Sequence, residues 1–261
     1  MKAKKVYEFR TSGEIVKMGP LELIKRWFQN NAPEYKWDFS KELGSLLIAE
    51  TIYLEFVKFK SFPYPKVYIL NSLNDTSKCD FKFPEELKVQ ESFNLRCSNP
   101  PKRLEAKILS YDIKNNNTKL PDYFKVDQLN LNEKFTDNEL QNINPDSIFN
   151  TLRFTTFNII ENITKFPPIK HKDFKVLNLK YTNISELPEN IQVSKLIIGK
   201  QFETLPKGLT VRILDLYHAD FNKFKKIPED IKILHTIKIP KSTSQEWIED
   251  NIIWKNKFMK I

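Results

Sequence analysis

The feature that most constrains this chain is a short phrase that keeps returning. Leu-Pro opens it, an apolar residue follows three positions after the Pro, then come further apolar residues at fixed offsets. Counting from Pro121, Pro188 and Pro206, the offsets +3, +5, +8 and +10 hold Phe124, Val126, Leu129 and Leu131; Ile191, Val193, Leu196 and Ile198; Leu209, Val211, Leu214 and Leu216. Looser copies start at Pro63, Pro84, Pro101, Pro145, Pro167 and Pro228, so successive Pro residues lie 17 to 24 apart. Self-similarity at this period predicts a stack of coils. Two apolar residues two positions apart have strand alternation. Such a pair cannot bury itself, but stacked on its equivalents in neighbouring coils it becomes a continuous column. The Pro, with fixed φ and no N–H, suits the corner where each return segment ends. A coil this short leaves little room for a helix on its back, so about five residues of strand and an extended or 3₁₀ back are expected.

Composition agrees and narrows the functions. Of 261 residues 40% are apolar, enough for a core, and 15 Pro are spread along the chain rather than gathered in a linker. The net charge of +9 suits acidic partners, nucleic acid among them. Yet basic runs are no longer than two, as at Lys4-Lys5 and Lys225-Lys226, with acids interleaved; nucleic-acid binders usually concentrate their charge. The opening MKAKKVYEFRTSGEIVK lacks an apolar stretch of about 7–15 residues, and no window reaches about 18 apolar residues. No secretory leader and no membrane partner are therefore expected. With two Cys, the expected setting is the reducing cytoplasm.

The stretch FKVLNLKYTNISELPENI, residues 174–191, resembles the leucine-rich-repeat phrase LxxLxLxxNxIxxLPxxI. The short LP units are similar to the compact bacterial type, over roughly residues 62–240. The resemblance implies an α/β repeat solenoid, a curved array with a parallel sheet on its concave face. One departure stands out: Thr182, Gln201, Ala219 and Lys134 occupy the place of the inward Asn that ties the turn backbone, so that ladder must be absent or improvised. GKQF and DFNKFKKIPEDI also resemble the FNIP variant of such repeats, kept as the alternative subtype.

A stacked array needs covered ends. Residues 1–45 read as a small α/β N-terminal cap: a strand at Val6–Phe9, Pro20 opening a helix, Leu23, Ile24, Trp27 and Phe28 on one helical face, and YKWDF alternating as a strand. Residues 46–240 form the solenoid. Residues 241–261 read as a C-terminal capping helix, with Thr243 and Glu246 as capping box and Trp247, Ile248, Ile252, Trp254 and Phe258 covering the last coil. A helical turn is also expected at Thr136, with Glu139 three residues on. The leader VYEFRTSGEIVKMGPLELIKRWFQNN is similar to that of repeat proteins encoded by tailed bacteriophages. This implies a viral protein at work in the host cytoplasm, on a host factor.

Catalytic motifs are not forthcoming. Neither GxxxxGK[ST] nor GxGxxG occurs, and no cofactor is expected. His171, His218 and His235 are too far apart for a local metal motif, although His218 and His235 fall in neighbouring coils. Cys79 and Cys97 are a coil apart and read as buried thiols; a zinc site would need two more ligands. NKFKKIP sets Lys223, Lys225 and Lys226 beside Phe221 and Phe224. Base stacking beside phosphate contacts is one reading; a buried corner Phe with solvated Lys around it is preferred. What remains is the face of the sheet. The register points Asn94, Arg96, Gln128, Asn130, Asn132, Arg153, Asn178, Lys180, Lys195, Asp215, Tyr217 and Lys238 outward, a polar, amide-rich and somewhat basic set. Arg and Tyr favour binding hot spots. The expected function is non-enzymatic protein–protein binding through this face. The alternative is a nucleic-acid binder, with an adaptor docking a second partner on the N-terminal cap a distant third.

Overall fold

The computed structural model describes residues 7–11, 14–18, 20–57, 59–74, 81–95, 99–111, 119–131, 135–154 and 163–261, with side chains from Leu21 onward. Cys79, Cys97, Arg96, Asn132 and Lys134, singled out above, lie outside the described residues.

The repeat phrase is translated into one long sheet. In chain order the elements are β1 (Tyr7–Thr11), β2 (Glu14–Met18), α1 (Pro20–Asn31), β3 (Trp37–Ser40), β4 (Ser45–Ile48), β5 (Ile52–Tyr53), β6 (Lys66–Ile69), β7 (Leu73–Asn74), β8 (Glu86–Leu95), β9 (Arg103–Tyr111) and β10 (Tyr123–Leu131). There follow α2 (Asp137–Gln141), β11 (Ile148–Phe154), β12 (Asp173–Asn178), β13 (Gln192–Ile197), β14 (Thr210–Asp215), β15 (Lys232–Ile239), α3 (Gln245–Asp250), a 3₁₀ helix (Ile252–Lys257) and β16 (Phe258–Lys260). From β4 to β16 each strand pairs in parallel with its counterpart in the next coil, giving a β-solenoid of about 9 turns with few helices. Among the described residues only β3 joins this sheet antiparallel; β1 and β2 form a separate hairpin.

The register carries the predicted column. Leu73, Phe93, Leu109, Leu129, Leu152, Leu177, Leu196, Leu214 and Ile237 are successive cross-strand partners, and every one of them is fully buried. A second column runs Leu46, Val67, Leu87, Leu104, Phe124. All twelve apolar residues of the three cleanest phrases are buried. At about 1.5–3 kcal/mol for each large apolar side chain removed from water, these columns are the main source of cohesion.

The strands are longer than the five residues expected: β8 has 10, β9 and β10 have 9, β12 to β14 have 6. The offsets explain this. Between +5 and +8 stand two non-core residues, Asp127 and Gln128 in β10, Ser194 and Lys195 in β13. Strict alternation would bury one of them. Both instead stay out of the core and the strand continues in the same sheet, so both halves of the phrase are strand.

At the corners the missing Asn is improvised. Thr182 is buried and its hydroxyl donates to the Leu179 carbonyl at 3.0 Å. Gln201, one coil later, reaches back so that its Nε2 donates to that same carbonyl at 3.0 Å. Gly199 makes room: a Cβ there would lie 2.5 Å from the Lys180 carbonyl oxygen. Two residues after their Pro, Asn190 (φ 58°) and Gly208 (φ 66°) take the same left-handed turn.

The ends follow the sequence in part. Ile24 and Phe28 of α1 and Ala32 just after it are buried; Phe28 stacks on Trp37 at 5.1 Å and Trp27 meets Phe59 edge-on at 4.8 Å. α2 starts as predicted, with the Thr136 N–H donating to Glu139 Oε2 at 2.7 Å. At the far end the capping residue is Ser244, whose Oγ accepts from the Trp247 N–H at 3.2 Å. Thr243 instead donates its hydroxyl to the Pro240 carbonyl at 2.8 Å. α3 is only six residues long, and Ile252 is 57% exposed rather than packed. The chain then re-enters the sheet: β16 pairs with β15, Phe258 opposite Ile237. A strand satisfies the edge N–H and C=O groups of β15, which a helix laid across the last coil would leave open.

Candidate interaction face

The outward side chains fall into rows, because residues at the same offset in successive coils are neighbours. Asn74, Asn94, Ser110, Asn130, Arg153, Asn178, Ile197, Asp215 and Lys238 form one row. Six of the predicted residues, Asn94, Asn130, Arg153, Asn178, Asp215 and Lys238, therefore share one line. Part of it is a hydrogen-bonded ladder: Asn94 Nδ2 donates to Asn74 Oδ1, and Asn130 Nδ2 donates to Ser110 Oγ at 3.1 Å. Gln128 and Lys195 belong to the adjacent row, with Ser92, Ile108, Thr151, Val176 and Ile213. Gln128 Nε2 donates to Asn130 Oδ1 at 2.8 Å, tying the two rows together.

Asp215 departs from expectation. It is only 8% exposed, and its Oδ1 accepts from the Tyr217 N–H at 3.2 Å. The carboxylate holds its own turn, with Lys195 Nζ at 4.0 Å, and is less open to a partner than its neighbours. Lys180 and Tyr217 lie past the strand ends, in a small aromatic group. Lys180 Nζ sits 4.3 Å from the centre of the Tyr181 ring. His218 meets Tyr217 edge-on at 5.0 Å and lies 6.4 Å from Tyr181. Burial first, and the Lys180 charge second, push the His218 imidazole below its ordinary pKa, against a smaller opposing pull from Asp215. His235 pairs instead with the Thr236 hydroxyl. Among the described residues no group of three His, Cys, Asp or Glu side chains could hold a metal ion, and no helix is long and apolar enough to cross a membrane. Phe224 is fully buried and Phe221 packs on Trp247 at 4.9 Å. Phe224, the ring inside NKFKKIP, is thus a buried corner residue, and Phe221 beside it is partly buried against the core.

Two further rows were missed by the sequence reading, which counted only the second half of each phrase as strand. Tyr68, Lys88, Glu105 and Lys125 form one. Lys107, Asp127, Asn150, Lys175, Ser194 and Arg212, placed between matched partners, form the other. The available signal was the polar residue at +4 and +6 in each clean phrase. These rows line three hollows that share members. Tyr68, Lys88 and Glu105 belong to the first and second, Asn150 to the second and third. Together they make one shallow trough along the sheet.

From β6 to β10 the charges in the trough alternate in sign along each row, and several pair. Lys66 meets Glu86 at 3.0 Å, Lys88 meets Glu105 at 3.5 Å, and Lys107 meets Glu91 at 2.9 Å. Asn150 Nδ2 donates to Asp127 Oδ1 at 3.0 Å. Lys88 and Arg103 also lie over the rings of Tyr68 and Tyr123, each at 5.1 Å. Compared with known proteins, the chain matches no family model, no curated protein and no solved structure. The fold and face define a parallel β-solenoid presenting a polar trough of aligned rows.

Proposed function

We propose that this protein is a non-enzymatic binding protein that takes a protein partner on the open, concave face of a leucine-rich-repeat-like solenoid. In this reading residues 1–45 and 241–261 cap the array. The resemblance of its leader to tailed-bacteriophage repeat proteins sets it in the host cytoplasm, acting on a host factor. The observation that carries the reading is the charge pattern of the trough. A nucleic-acid groove needs a run of Lys and Arg free to neutralise successive phosphates. Here Lys66 on β6, Lys88 on β8 and Lys107 on β9 are each matched by a carboxylate on the adjoining strand, and Arg103 lies over the Tyr123 ring. Alternating charge interspersed with Tyr and amides supports a protein surface of complementary pattern. The improvised corners at Thr182 and Gln201 support a leucine-rich-repeat-like coil built without the usual Asn.

The test is position-specific photocrosslinking. A benzoylphenylalanine at Lys125, in the trough, is compared with one at Glu203, exposed on a corner, in bacterial lysate with and without nuclease treatment. A discrete protein adduct from position 125 alone supports the reading. An adduct that disappears on nuclease treatment favours the nucleic-acid alternative, and equal adducts from both positions overturn the assignment of the face.

A further inference from the structure

The trough is not uniform, and its far end differs in kind. Between β11 and β14 lies a hollow of about 440 Å³. Lys175 on β12 and Arg212 on β14 stand exposed on its wall, with Ser194 between them in the row. Lys232 on β15 adjoins it, in register with Thr210. Asp173 also lines the hollow, but among the described residues no carboxylate lies within ion-pair distance of any of the three. Leu234, 60% exposed, closes the last side with an apolar surface.

We propose that this hollow docks an acidic, extended segment of the protein partner, with carboxylates about three residues apart and an apolar residue close to them. The inference rests on the reading of the face as a protein-binding surface and names what one part of it takes. Against the single carboxylate of Asp173 in the lining, Lys175, Arg212 and Lys232 leave the hollow net positive, complementary to a short run of acids. Strands sit about 4.8 Å apart, so Lys175 and Arg212, two strands apart, have backbones about 10 Å apart. An extended chain rises about 3.3 Å per residue, which matches positions i and i+3. Arg212 can hold a carboxylate through two parallel hydrogen bonds. Leu234 then gives the segment an apolar contact, which a phosphate backbone has no use for. A nucleic-acid strand continuing along the trough would next meet Asp127 and Glu105, so its phosphates would face carboxylates.

The test uses the full-length chain and fluorescence anisotropy. The probe is a fluorescein-labelled peptide of Glu-Ser-Leu repeats. A Gln-Ser-Leu peptide and an oligothymidylate of equal length are the controls. The Glu peptide is expected to bind at least about 10-fold tighter than either control. Lys175→Glu with Arg212→Glu is expected to weaken it by about 10-fold or more. Lys207→Glu with Lys225→Glu, exposed corner lysines, leaves it unchanged. Circular dichroism checks each fold, and Arg212→Gln serves as a milder variant. Equal binding of the Glu and Gln peptides, tighter binding of the oligothymidylate, or equal loss from the corner variant overturns the proposal. If the crosslink at position 125 forms while the Glu peptide binds no better than its Gln control, the hollow loses its assignment and the face keeps its own. If the crosslink fails as well, both fall.

Discussion

Strands β8–β11 and strands β12–β15 share one buried column and differ in what they show to solvent. The column passes from Leu129 through Leu152 and Leu177 to Leu196 without a break. Outside, the first group presents ion pairs across neighbouring strands, and the second presents Lys175, Arg212 and Lys232, which make no ion pair among the described residues, with the one carboxylate of Asp173 in the same hollow. The interior obeys one rule along the whole molecule because burial tolerates only apolar residues at the stacked offsets. The exterior is under no such rule, so each region can carry its own charge pattern. That contrast locates the charge available to a partner more sharply than the net +9 does.

The largest effect should show that the interior is common to both regions. Leu129→Ala and Leu196→Ala, both fully buried, should each cost about 2–5 kcal/mol in chemical denaturation. A loss at one site and none at the other would break the idea of a continuous column. Gly199→Ala probes the tighter corners of the second region. Its Cβ would press on the Lys180 carbonyl and the Gln201 amide, and a loss of about 1–3 kcal/mol is expected. No loss would mean that the corner at Gln201 is looser than described.

Smaller effects sharpen the exterior. Glu86→Gln removes the carboxylate facing Lys66, both about half exposed, and should lower stability by less than about 1 kcal/mol, less still at high salt. Arg212→Gln, which breaks no ion pair, should stay within about 0.5 kcal/mol of the parent. A larger loss there would show that Arg212 holds the fold rather than waiting for a ligand. The smallest effect concerns His218. Burial and Lys180 keep its folded-state pKa below the ordinary value, so the unfolded chain binds the proton more readily. Stability should therefore fall as pH drops through the ordinary histidine range and level off below the lowered value. An NMR titration should place His218 below a free histidine, and Lys180→Gln should move it upward. An unshifted His218 would remove it from the aromatic group.

Much of this was legible in the sequence, for identifiable reasons. The columns, the helical turn at Thr136 and the Pro20 helix depend on local spacing or on a single capping residue. The C-terminus was less legible. Ser244 and Thr243 are equally good caps on paper; in the structure Ser244 accepts from the Trp247 N–H, while Thr243 donates to the Pro240 carbonyl in the turn before it. Nor did FMK announce a strand; β16 forms because the edge of β15 was open to it. On the face, the rows at +4 and +6 are not legible in the sequence, because only the pairing shows that the first half of each phrase is strand as well.

The amino-acid order alone settled which side chains lie inside, since each phrase repeats the same few offsets and water rejects the same positions in every coil. It could not say which surface charges stand side by side. Those neighbours are a full coil apart in the chain, the coils vary in length, and β8 and β15 shift register against their partners. Only the assembled sheet fixed that register, and with it the division between a region whose charges are matched and one whose charges are left for something else.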